Sequence, residues 1–139
     1  MLNDIPPARL TQLALAAGFL SFGVAWLAAP EGVEYMFARE QSAAIAPIVS
    51  LALSLLGVQA LAFGLFALIA RFKSWTFLGF AVAMLPLFFV DYWAFAVARA
   101  FNEMTLVHAG GLTAMLAMCA HGFRVLRERE EAIAQLVSF

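Results

Sequence analysis

The chain has 139 residues, 65% hydrophobic and 12% charged, with a formal net charge of −1 and a mean hydropathy of +0.93. A soluble domain averages about a quarter charged residues, and one this apolar would expose patches that drive aggregation; composition therefore excludes an ordinary soluble domain and points to lipid as the solvent. The balanced charge offers no basic field for nucleic acid, and Cys119, the single cysteine, excludes an intrachain disulfide and any CxxC motif.

A spanning helix takes roughly 20 apolar residues. Four stretches approach or exceed that length, predicting transmembrane helices over about 10–30, 46–70, 74–98 and 104–125, with a cytoplasmic helical extension over 126–139, all in one domain. The first stretch carries no charge; its length and the absence of a small-x-small site predict a retained helix rather than a cleaved signal. After it, Val33, Met36 and Phe37 recur at helical spacing opposite Glu31, Glu34 and Arg39. That pattern predicts a short amphipathic interfacial helix between helices one and two, within 31–42. The second stretch is also uncharged. The third is interrupted only by Asp91, one turn beyond a kink expected at Pro86. In the apolar run of the fourth, from Met104 to Phe123, His108 and His121 are the only titratable groups besides Cys119.

Links as short as Arg71-Phe72-Lys73 and 99–103 force antiparallel neighbours. The fold class is therefore all-α: an integral membrane up-down four-helix bundle. Arg9, Arg71, Lys73, Arg124, Arg127 and Arg129 fall on one side of it, and Arg39 and Arg99 on the other. By the positive-inside rule both termini are cytoplasmic and the protein is multi-pass in the inner (plasma) membrane. Beyond the fourth span, Arg124/Glu128 and Arg127/Glu131 stand at i,i+4 spacing on an extended helix.

Asp91 is the most informative residue, because a carboxylate facing lipid costs several kcal/mol and so must face the bundle interior. Counted from the cytoplasmic turn, Gln59 and Asp91 differ in depth by only ~6 Å, and Ser21 and Thr113 fall nearby. Ser21, Gln59, Asp91 and Thr113 are thus candidates for one polar cluster, either a hydrogen-bonded glue or a ligand site. His108 is expected about one turn into the fourth helix, within reach of Glu103, Arg99 and Glu40. His plus two carboxylates can hold a metal, but HExxH and ExxH are absent, so no metal site and no cofactor are called for. His121 lies about 20 Å from His108 along the helix and on nearly the opposite face, which excludes a haem ligated twice within it. Gly57, Gly64, Gly110 and Gly111 are expected to let helices approach. Trp26, Trp75, Tyr92 and Trp93 sit where an aromatic belt would place them.

The four spans, Ala29-Pro30-Glu31-Gly32 closing the first and Arg71-Phe72-Lys73 in the tight turn together resemble small bacterial four-helix membrane proteins of the DoxX-like kind. The resemblance implies the topology and carries no activity or site residue with it. Three function classes follow from the residues. The first is a non-enzymatic partner-binding protein or subunit of a membrane complex, docking or self-associating through the stretch from Arg127 to Phe139 or through glycine-bearing helix faces. The second binds or transfers a small hydrophobic ligand, a lipid or quinone, in a cavity near Asp91. The third is a small membrane enzyme using Asp91, with His108, as general acid or base.

Overall fold

The computed structural model describes residues 6–29, 32, 46–97, 99 and 102–137. Among these the chain is all-helical. The elements are α1 (Pro7–Ala28), α2 (Ala46–Ile69), α3 (Ser74–Tyr92), which runs on into a π-helical turn (Trp93–Val97), and α4 (Met104–Val137). Three segments, Pro7–Ala28, Ser74–Val97 and Met104–Val137, are long and apolar enough to cross a membrane; α2 adds the shorter apolar stretch Ser54–Ile69. Apart from Gly32, the segment 31–42 expected to form an interfacial helix lies outside the described residues.

Each helix starts and stops for a local reason. Pro7 opens α1, where its fixed φ is already helical and no amide hydrogen is missed. Pro86 sits inside α3 and removes one ladder hydrogen bond. About two turns later the ladder tightens, then loosens: Trp93 N–H reaches both Phe89 O and Val90 O, and the π turn follows. Arg99 has φ 51°, the left-handed conformation that commonly ends a helix. Asn102 Oδ1 then accepts from Met104 N–H at 2.9 Å and starts α4. The last span and its extension form one continuous helix, along which Arg127 Nε donates to Glu131 Oε1 at 2.6 Å.

Two glycines let α1 and α2 touch backbone to backbone. A methyl at Gly23 would lie 2.8 Å from Leu61 N, and one at Gly64 would lie 2.9 Å from Leu20 N. The pairing of 23 with 61 and 20 with 64 makes the two helices antiparallel. Gly110, also expected to serve such an approach, has nothing near it, because its side of α4 is exposed. Gly122 instead receives the ring of Phe77 and joins α4 to α3. Phenylalanine rings fill the middle: Phe19 meets Phe63 and Phe80 at 5.7 Å, and Phe72 meets Phe77 at 4.9 Å. Leu15, Phe77, Met84 and Cys119 are fully buried around them.

Polar side chains close the end where α1 begins and α2 stops. Gln12 Nε2 donates to Ala67 O and, at 2.7 Å, to Ala70 O, while Arg9 Nη2 donates to Leu68 O at 3.0 Å. These bonds satisfy carbonyls that a helix C-terminus otherwise leaves orphaned. The start of α3 is capped from a distance. Glu130, far along α4, accepts from Ser74 N–H at 3.1 Å and from Ser74 Oγ at 2.6 Å. Those two bonds hold the Glu130 carboxyl below its ordinary pKa. A depressed carboxylate stabilises the fold above its unfolded pKa, about 4.3, and the contribution is lost as pH falls through the lower folded value.

Two outcomes are expected. Gly64→Leu should destabilise the protein by about 1–3 kcal/mol through overpacking, whereas Gly110→Ala should stay within about 1 kcal/mol; thermal unfolding in mild detergent that ranks them equally would refute the backbone contact. On acidification below pH ~4, amide exchange should quicken at the start of α3 in wild type, while Glu130→Gln should already exchange fast at neutral pH.

Candidate functional site

Helical spacing brings four elements to one cavity. From α1 come Phe19, Phe22 and Trp26, from α2 Gln59 and Phe63 among others, from α3 Leu87, and from α4 His108, Leu112 and Met115. Residues three, four and seven apart share a helix face, which is why each helix offers a short run. The cavity holds about 40 Å³, more than the ~10–15 Å³ that one water needs and less than a drug-sized ligand.

Two polar side chains, Gln59 and His108, stand in its wall, and His108 is paired with Asp91, which does not line it. His108 Nδ1 lies 2.8 Å from Asp91 Oδ2, with both side chains about nine-tenths buried. An ionised carboxylate can only accept, so against an ionised Asp91 the Nδ1 would carry the proton. The other ring nitrogen, Nε2, then accepts when the ring is neutral and donates when it is imidazolium. Phe22 stands edge-on to the His108 ring at 5.6 Å and Trp26 lies tilted at 5.5 Å. Trp26 is only 7% exposed. It is therefore a wall of this site and not part of an aromatic belt, since packing on His108 and Phe22 buries its ring. Trp75, Tyr92 and Trp93 do face outward. One turn before His108, Thr105 is buried and its hydroxyl has no hydrogen-bond partner among the described residues.

The four residues placed at similar depth by counting do not meet. Gln59 lines the same cavity as His108, and Asp91 is bonded to His108. Ser21 is exposed, and Thr113 is exposed with its hydroxyl donating to Ala109 O at 2.8 Å. A helical hydroxyl can always satisfy itself on the carbonyl four residues back, so Thr113 needs no neighbour. Of the groups thought able to reach His108, Glu103 and Arg99 are exposed, and Glu40 lies outside the described residues. No group of three metal-binding side chains occurs among the described residues.

Sequence reasoning missed the Asp91–His108 pair, although a signal existed. Counted from the link 99–103, Asp91 stands eight residues before it and His108 five after. The mismatch in depth is only ~4.5 Å. Gln12, Trp26 and Thr105 gave no such signal. No family model matches the chain, and no curated protein or solved structure matches it.

Removing one partner of a buried pair strands the other, at a cost of about 3–5 kcal/mol, whereas replacing both with apolar residues is often nearly neutral. Asp91→Leu and His108→Leu should each destabilise strongly, and the double variant should be more stable than either. Equal or additive losses in a double-mutant cycle would show that the two side chains are not coupled.

Proposed function

We propose that the chain is an integral membrane protein of four antiparallel spans, with both termini cytoplasmic, and that it binds a small hydrophobic ligand carrying a hydrogen-bonding head. The membrane reading is supported by the three long apolar helices and by large apolar side chains that face outward, such as Ile69 and Phe89. The layout shared with DoxX-like proteins is consistent with it. The single observation that carries the ligand reading is His108, paired with the buried Asp91 and set in the wall of an aromatic cavity to which all four helices contribute.

The pair has the chemistry for a carbonyl or hydroxyl head. Asp91 orients the imidazole, and Gln59 adds an amide at the same cavity. Phe22 and Trp26 offer flat faces and edges to a ring. The enclosed space suits the polar edge of a quinone-like head, with the remainder lying between helices toward lipid. The site stands near one end of the spans, since His108 is about one turn, ~6 Å, into α4. A ligand therefore enters close to the interface. Docking of a partner along 127–139 has weaker support, because Glu130 draws that extension onto Ser74 of its own bundle.

Trp26 reports on the site directly. In a Trp75→Phe/Trp93→Phe background, its fluorescence should be quenched saturably by a short-chain benzoquinone. His108→Leu or Asp91→Asn should weaken the apparent affinity about tenfold, the worth of one good hydrogen bond. Quenching that never saturates, or that is identical in wild type and both variants, would sink the ligand reading.

A further inference from the structure

The far end of the molecule carries a second recess, unrelated to the aromatic cavity. Three arginines line it from three elements: Arg9 of α1, Arg71 of the turn before α3, and Arg129 of the α4 extension. Its volume is about 390 Å³, and Ile69, Phe72 and Leu126 contribute apolar walls. Among the described residues no carboxylate lines it. This convergence is not a by-product of a basic chain, since Asp and Glu outnumber Lys and Arg by nine to eight.

Two carboxylates of the α4 extension are engaged elsewhere. Glu130 is turned to Ser74, and Glu131 is paired with Arg127. The last carbonyls of α2 accept from Gln12 and Arg9. Arg9 spends one of its five N–H donors in this way. The Ser74–Glu130 contact also fixes the α4 extension beside the turn, which sets Arg129 across the recess from Arg9 and Arg71.

We infer that this recess binds the phosphate of an anionic phospholipid, the guanidinium groups taking the phosphate oxygens and the apolar walls taking the glycerol and first acyl carbons. Planar guanidinium groups match phosphate oxygens in pairs. Basic pockets at the cytoplasmic ends of spans are where anionic headgroups lie. The inference rests on the membrane reading above and is independent of the ligand at His108.

The test uses the full chain in nanodiscs of equal phosphatidylglycerol and phosphatidylcholine, ejected for native mass spectrometry. Wild type should retain phosphatidylglycerol in preference to phosphatidylcholine. Arg71→Gln/Arg129→Gln should lose about tenfold of that retention, and Arg71→Lys/Arg129→Lys should recover part of it. Equal retention of the two lipids, or unchanged retention in the Gln variant, overturns the site while leaving the protein in the disc. Displacement of the lipid by inorganic phosphate, but not by chloride at equal ionic strength, assigns the recess to free phosphate and overturns the lipid. A wild type that stays monomeric in solution once detergent is removed overturns the membrane reading, and the site with it.

Discussion

A carboxylate set deep in an apolar helix constrains everything around it. Asp91 lies about 26 Å along α3 from Ser74, among phenylalanines and leucines that offer it no hydrogen bond. It is tolerable there because α4 presents His108 at 2.8 Å. That meeting fixes the register of α3 against α4, since a slip of one residue would turn His108 about 100° away. The same register carries Gly122 under the Phe77 ring and brings Glu130 to Ser74. Three contacts of different chemistry, spread along one helix pair, therefore select one alignment. His108 in turn draws α1 inward, because Phe22 and Trp26 pack on its ring.

Between α1 and α2 the constraint is steric. Gly23 and Gly64 remove the side chains that would hold the backbones apart. In the proposed lipid setting such contact would matter more than burial, because lipid tails are as apolar as leucine and leave dispersion and geometry to decide which helices associate. Gln12 and Arg9 then lock the pair at one end by bonding to the α2 carbonyls. These polar side chains act where a helix end would otherwise waste hydrogen-bonding capacity.

The helices were legible in the sequence because length and apolarity set them: α2 was expected over 46–70 and is Ala46–Ile69, and α3 begins at Ser74 as expected. Asp91 was legible as a costly residue, since the argument needs only its charge and its surroundings. Its partner was harder. Depth can be counted from either link, and counting from the Arg71-Phe72-Lys73 turn favoured Gln59 over His108. Rotational phase was the missing quantity. Ser21 and Thr113 have suitable depth and face the wrong way, and an all-apolar helix shows no polar stripe from which phase can be read. For the same reason Gly110 and Gly122 could not be told apart, although one faces open space and the other a phenylalanine ring.

The polar chemistry of the protein is thereby divided between two ends. Ser74 and Asp91 belong to one helix, and their partners Glu130 and His108 belong to another. Between them lie the rings of Phe72, Phe77 and Phe80 and the side chains of Met84 and Cys119. Groups ~25 Å apart along the helix with no shared partner behave independently, so a change at one end acts on the other only through the rigid alignment of α3 and α4. The clamped end, with its capped helix termini and arginine-lined recess, holds that alignment. At the other end Pro86 and the π turn interrupt regular bonding on either side of Asp91. The ligand proposed at His108 would therefore sit at the end where the helix ladder is interrupted, away from the end whose helix termini are capped.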